Sequence, residues 1–273
     1  MAPSLLILAA VAFAEDDVFV EPPDPLAEPV DSPEKDLEAE FGGAWSAGNT
    51  DSRKLSASYA AAYRWRRNQL SSAGEITLGS ALIDEDGNGV LSKDERARSR
   101  VRTAQRAEGD LRYDRFLTDR NSLYLLGGGF TDPYAGYDSR FNGQLGYSHL
   151  LLYEAADDDP VTSLSAEVGV DAAREDYTDG VVPNRGMKYN ARGGLGFVRV
   201  LTSTLAFGQD VEVFVNVEDP TDTRLISDTA ITNELTAAMS VKLSYKMTYD
   251  TQPVEGYVPA DHQGLVSLVA TVL

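Results

Sequence analysis

Residues 241–249 read Val241-Lys242-Leu243-Ser244-Tyr245-Lys246-Met247-Thr248-Tyr249. Val241, Leu243, Tyr245, Met247 and Tyr249 share one parity, and Lys242, Ser244, Lys246 and Thr248 the other. A β-strand sends successive side chains to opposite faces, so this stretch has one apolar wall and one charged, hydroxylated wall. The same alternation recurs about a dozen times down the chain with almost no helical periodicity between. Apolar residues toward lipid and polar residues toward a lumen is the pattern of a transmembrane β-barrel.

Composition narrows the alternatives. The net charge of −19 leaves no basic footprint for nucleic acid. There is no cysteine, which removes disulfides, thiolate metal sites and a thiol nucleophile. No window approaches the roughly 18 uninterrupted apolar residues of a spanning helix, so a membrane role rests on strands. At the start, the apolar run Leu5–Phe13 ends in Ala12-Phe13-Ala14 and meets Glu15-Asp16-Asp17. Residues 1–14 therefore read as a signal peptide cut after Ala14. The usual Lys or Arg before the apolar run is missing, and a start codon upstream would supply it. Residues 15–36 carry nine acids, one Lys35 and five prolines. Such a segment buries too little apolar surface to offset its ordering entropy and reads as a disordered acidic leader.

From 37 to 273 the parity marks twelve strands. The first runs Leu37 to Ser46 and the second returns through Leu55, Tyr59, Tyr63 and Trp65, whose closing aromatics suit an interfacial girdle. The last runs Gly264–Leu273. Short turns at 67–69, 117–121, 201–204 and 237–240 alternate with longer loops, Asp157–Pro160 being intermediate. Bacterial barrels have an even strand number, short periplasmic turns and longer outer loops. The expectation is an all-β fold, a 12-stranded antiparallel transmembrane β-barrel of outer-membrane type. A soluble periplasmic β-barrel or sandwich acting as a binding module would also alternate, but it gives no reason for the loop asymmetry.

Three short motifs bring the chain close to a known family. They are the hairpin Ser46-Ala47-Gly48-Asn49-Thr50-Asp51, the segment Asp114-Arg115-Phe116-Leu117-Thr118, and Leu235-Thr236-Ala237-Ala238-Met239-Ser240-Val241. With Asp261 before an alternating last strand, they resemble domain-of-unknown-function family 481, often labelled salt-induced outer-membrane proteins. The likeness runs from about Leu37 to Leu273. It implies a barrel in the Gram-negative outer membrane, reached after signal-peptide export, and brings no catalytic residues with it. Two features depart from the family: the acidic insertion at 84–95, and a final Leu273 where many outer-membrane barrels end in Phe.

Lumen-facing parity holds both signs. Glu38, Glu40, Glu75, Glu108, Asp110, Asp114, Glu167, Asp171, Asp210 and Glu212 stand against Arg64, Arg66, Arg100, Arg102, Arg106, Arg112, Lys188, Arg192, Lys242 and Lys246. A twelve-stranded lumen holds either a polar plug or a narrow water path, which small ions or solutes could use. The expected role is structural or weakly conducting, with outer-membrane lipid as the surrounding partner, and no enzyme. The alternative of a barrel hydrolase would rest on Asp261-His262, since His149 and His262 fall near opposite rims.

The sharpest local signal is Asp84-Glu85-Asp86-Gly87-Asn88-Gly89-Val90-Leu91-Ser92-Lys93-Asp94-Glu95. It matches a calcium-binding EF-hand loop at its diagnostic positions. Asp84, Asp86 and Asn88 would each give an oxygen, Gly89 the sharp bend, and Val90 its carbonyl. Ser92 would act directly or through water, and Glu95 would close the site with two oxygens. A solvated acidic hairpin loop is the plain alternative, but it needs neither Val90 nor Glu95. Without a second loop to pair with, and with Arg96, Arg98 and Arg100 close by, the expected affinity for calcium is on the order of 10⁻⁴–10⁻³ M. Calorimetry should show calcium binding to the refolded protein and its loss in the Asp84→Ala, Glu95→Gln double variant. Identical heats up to about 10 mM calcium would mean the loop binds no metal.

Overall fold

A computed structural model describes residues 30–46, 52–82, 100–156, 159–178, 187–253 and 258–272. Twelve strands follow one another: β1 (Val30–Ser46), β2 (Ser52–Arg66), β3 (Asn68–Ala81), β4 (Val101–Thr118), β5 (Asn121–Asp132) and β6 (Tyr137–Ala156). They continue as β7 (Asp159–Tyr177), β8 (Met187–Val200), β9 (Leu205–Asn216), β10 (Thr223–Thr236), β11 (Met239–Asp250) and β12 (Ala260–Thr271). Each pairs antiparallel with its sequence neighbours, and β1 pairs with β12, so the sheet closes into a barrel. Closure leaves no sheet edge running the length of the wall, which a strand-built membrane span requires.

Two neighbouring rows of the ladder show how the sequence divides the wall. Tyr63, Leu70, Tyr113, Leu125, Leu145, Val170, Ala191 and Val215 are register partners in succession from β2 to β9. They face outward, with Leu125, Leu145 and Val170 at 58%, 57% and 60% exposure. One residue along each strand, Ser71, Arg112, Leu126, Gln144, Asp171, Asn190 and Asn216 make the inward row, all buried. Polar residues inside and apolar residues outside invert the arrangement of a water-soluble protein. The inversion is favourable only when lipid surrounds the wall.

Connections alternate as expected, except that 133–136 is no longer than 201–204. Trp65 pairs with Asn68, Thr118 with Asn121, and Ala156 with Asp159, so these links are short; the last was intermediate in the sequence reading. In the first, Arg66 has φ 51. Positive φ at the first of two central turn positions is the type II′ hairpin pattern, where glycine is the usual occupant. At the other end, Asp219 accepts from Thr221 and Gln252, which bridges the 217–222 connection to residues after β11. Those bonds, the Thr221 side chain first, hold the Asp219 carboxyl below the ordinary aspartate range.

Three sequence expectations change. β1 begins at Val30, so residues 30–36 form strand where a disordered leader to Asp36 was expected. Pairing with β2, from Val30↔Arg66 to Glu34↔Arg64, supplies the ladder bonds that composition alone does not reveal. The register shifts between Val30 and Glu34, and the intervening Pro33 cannot donate to a ladder. β12 begins at Ala260 rather than Gly264, because Tyr249 of β11 already pairs there. A bulge also separates Gly79↔Ala104 from Ser80↔Arg102, which moves Arg102 onto the outward parity of Ser80. Arg102 is exposed and donates to Gln105, so it does not stand with the lumen-facing charges where strand parity places it. The signal peptide at 1–14, the leader from 15 to 29 and the calcium loop at 84–95 lie outside the described residues.

Leu145→Arg tests the orientation of the wall. In lipid vesicles the variant should lose about 2–4 kcal/mol of folding free energy if Leu145 lies near the bilayer midplane. A loss within about 0.5 kcal/mol, the usual effect of a surface substitution in water, would mean that this face meets solvent.

Candidate functional site

The lumen is the candidate site, and its centre is a chain of buried charges. β4 carries Arg112, β7 Glu167, β8 Arg192 and β9 Glu212, all on inward parity. Arg112 reaches past β5 and β6 and donates to Glu167 at 2.7 Å. On its own strand it donates to both oxygens of Asp114, at 2.8 and 3.0 Å. Arg192 donates to the other oxygen of Glu167 at 2.7 Å and also pairs with Glu212. The side chains of Arg112, Glu167 and Arg192 are 1%, 0% and 0% exposed, so no water path touches them.

Tyr124 holds the centre of this chain. Arg112 lies 4.2 Å over its ring and Arg192 donates to its hydroxyl at 2.7 Å. The ring faces β6 and β7 where both strands carry glycine. A Cβ on Gly169 would come 2.7 Å from the Tyr124 hydroxyl oxygen, and one on Gly146 would overlap the ring. Glycine at these two positions gives the ring its seat. Below it, Ser122 donates to Asp114 at 3.2 Å.

Further groups line the rest of the lumen. Toward the longer loops, Lys188 bridges Glu175 and Asp222 at 3.2 Å each, and Arg140 lies 3.6 Å from Glu175. Arg106 pairs with Glu108 at 2.7 Å and sits 4.2 Å over the Phe130 ring. Across the barrel, Lys242 of β11 reaches past β12 to Glu40 of β1 at 2.8 Å. Of these, the Lys242–Glu40 pair ties strands that are not ladder neighbours.

Of the expected lumen charges, the structure joins Asp114, Arg112, Glu167, Arg192 and Glu212, and pairs Arg106 with Glu108, Lys188 with Glu175, and Lys242 with Glu40. The sequence reading missed Tyr124, Arg140, Glu175, Asp222 and Phe130. For Arg140 and Glu175 the signal was present, since each extends the inward parity of its strand. The arginines of β4 do not stand as free lumen cations: Arg106 and Arg112 are each paired with carboxylates, and Arg102 points out.

The hydrolase alternative meets a geometric obstacle. Asp261 and His262 are consecutive in β12 and so point to opposite faces. His262 stacks on Tyr245 and shares a 2.7 Å hydrogen bond with its hydroxyl. His149 bonds to Asn121 near the short-turn end. Asp261 therefore orients neither imidazole. Asp84, Asp86, Asn88, Val90, Ser92 and Glu95 lie outside the described residues. Among the described residues no cluster of three metal-ligating side chains occurs.

The family model described as "Protein of unknown function, DUF481" matches residues 39–272. The "Uncharacterized protein YdiY" of Escherichia coli (strain K12) is 27% identical over 261 residues, covering 93% of this chain and 90% of that protein. Among solved structures, the NanC porin aligns over 87% of this chain and 100% of its own, with 10% identity and a TM-score of 0.49. The translocator domain of the autotransporter NalP from Neisseria meningitidis aligns over 86% of each chain, with 14% identity and a TM-score of 0.40.

Glu167 is the shared anion between two buried guanidinium groups, so its neutralisation should be costly. Glu167→Gln is expected to lose about 3–5 kcal/mol in denaturant unfolding from detergent micelles. Glu154→Gln, exposed near the end of β6, should stay within about 0.5 kcal/mol. Equal effects of the two would mean the lumen network does not brace the fold.

Proposed function

The chain belongs to the DUF481 family, whose description assigns no activity, and for this member we propose a barrel of the outer membrane that is structural or weakly conducting. The observation that carries the reading is the near-complete burial of Arg112, Glu167 and Arg192 in mid-lumen. An open pore keeps lumen charges hydrated and available to a passing ion. Here the cations and anions pair with one another, and Tyr124, Phe214 and Leu126 on the same inward parity are also buried. Small ions would pass only by threading or transiently breaking this network.

Location in the outer membrane, after export by the segment at 1–14, is part of the same proposal. Its support is the apolar outer wall, the even strand number and the alternation of short and long connections. The calcium loop is proposed on its residue pattern. β3 ends at Ala81 and β4 begins at Val101, so a cation held by Asp84, Asp86, Asn88, Val90, Ser92 and Glu95 would tie two adjacent strands at the longer-loop end. It would act as a brace that shields carboxylates from one another.

Planar-bilayer recording tests the reading. The wild-type protein should give no steps or only small ones. The Arg112→Ser, Glu167→Ser, Arg192→Ser triple variant, checked for folding by its mobility shift on heating, should conduct more. Large, steady steps from the wild type, unchanged in the triple variant, would overturn the plug.

A further inference from the structure

Arginines of this barrel fall into two populations. Those in the lumen are matched to carboxylates, as Arg112 is to Asp114 and Glu167, and Arg106 to Glu108. Those at the short-turn end of the outer wall are not. Arg67 donates to the Leu117 carbonyl at 3.0 Å and Arg115 to the Asn68 side chain at 2.8 Å; both are exposed, and neither pairs with a carboxylate among the described residues. In a chain of net charge −19, these exposed cations, with no carboxylate partner among the described residues, are available to an anionic partner from outside.

Their surroundings identify the chemistry. Trp65, Asn68 and Arg115 are register partners across β2, β3 and β4, all on outward parity. Trp65 lies 5.4 Å from Tyr63 and 6.3 Å from Tyr113, ring centre to ring centre. The Tyr113 hydroxyl donates to the same Asn68 oxygen that Arg115 uses, at 2.8 Å, so Asn68 fixes both side chains. Leu70 and Leu123 flank this group on the apolar wall. Aromatic rings of this kind settle at the level of lipid headgroups, with the apolar rows in the acyl chains. The guanidinium groups of Arg67 and Arg115 are thereby placed at the depth of the phosphates.

We propose that this rim binds phospholipids of net anionic headgroup, with Arg67 and Arg115 taking the phosphate and Trp65, Tyr63 and Tyr113 packing on the glycerol and upper acyl chain. Guanidinium suits phosphate because its planar donors match two oxygens at once. The nearest acid in the adjoining β4–β5 turn, Asp119, precedes Arg120, which leaves that turn neutral. At the opposite rim, outward-facing Arg174 is engaged with Asp176 at 3.9 Å and Arg102 with the Gln105 side chain. The cluster of Trp65, Tyr63 and Tyr113 beside Arg67 and Arg115 is what directs the preference to the short-turn end. That preference rests on the membrane-barrel reading of the wall.

Only Trp45 and Trp65 are tryptophans, so Trp45→Phe leaves Trp65 as a reporter beside the arginines. This single-tryptophan protein is refolded into phosphatidylcholine vesicles holding a graded fraction of acyl-brominated phosphatidylglycerol or acyl-brominated phosphatidylcholine. Quenching by the anionic lipid should reach half-maximum at a mole fraction lower by about fivefold for each arginine contact. Arg67→Ser with Arg115→Ser should abolish the preference, Arg67→Lys with Arg115→Lys should keep most of it, and Arg53→Ser with Arg174→Ser should leave it unchanged. Equal quenching by the two lipids in the arginine-containing protein would overturn the proposal. Absence of quenching by either would instead overturn the membrane insertion on which it rests.

Discussion

Everything in this molecule depends on β1 finding β12. In hydrocarbon an unpaired backbone amide or carbonyl costs several kcal/mol, so a sheet survives there only by closing. The seam is made from Glu38↔Thr271 to Gly43↔Val266 and prolonged by the Val272 amide donating to Leu37 at 2.8 Å. Its chemistry is that of small residues. A Cβ on Gly42 would come 2.7 Å from the Ser267 hydroxyl oxygen and 2.9 Å from Leu265 and Ser56. Glycine at that point leaves room for the inward side chains of the two neighbouring strands, and Glu40 beside it is secured by Lys242 from two strands away. Closure by backbone and closure by charge occur within the same few residues.

The same need for closure explains why the lumen is polar and yet closely packed around Arg112, Glu167 and Arg192. Inward parity faces no lipid, so charge is permitted, but a buried charge without a partner is more costly than an apolar one. Pairing across strands resolves this. Arg112 to Glu167 to Arg192 to Glu212 gives every member an opposite neighbour and links β4 to β9 without using the ladder. Tyr124 fits between the two guanidinium groups because its hydroxyl accepts from one while its ring faces the other. Such cross-strand pairing braces the wall beyond what the backbone ladder supplies.

The barrel itself was legible because its cause is local and repeated. Parity in Val211, Val213, Val215 and Val217 against Asp210, Glu212 and Asn216 says which way a strand faces, whatever its neighbours do. What escaped has non-local causes. Arg102 follows the parity of β4 in sequence, and only the mismatch of Gly79 and Ser80 against Ala104 and Arg102 turns it outward. Residues 30–36 look unfit for order until β2 supplies their ladder. Tyr124 reads as one aromatic among thirteen tyrosines, and its role comes from Gly146 and Gly169 on strands far along the chain. Which inward charges exist is a property of each strand; which of them meet is a property of register and shear.

One side-chain type thus does two jobs, separated by what stands opposite it. Arg112 and Arg115 are three residues apart on β4, so parity sends one into the lumen and the other to the outer wall. Arg112 meets Asp114 and Glu167, loses its water and becomes a strut. Among the described residues Arg115 meets the neutral oxygen of Asn68, keeps its exposure and retains a charge available to something outside the protein. Exchanging their surroundings would reverse the roles, since neither depends on the residue alone. An acidic protein can therefore present exposed arginines at one rim, because several of its acids are engaged with Arg112 and Arg192 inside the wall while Arg67 and Arg115 face outward.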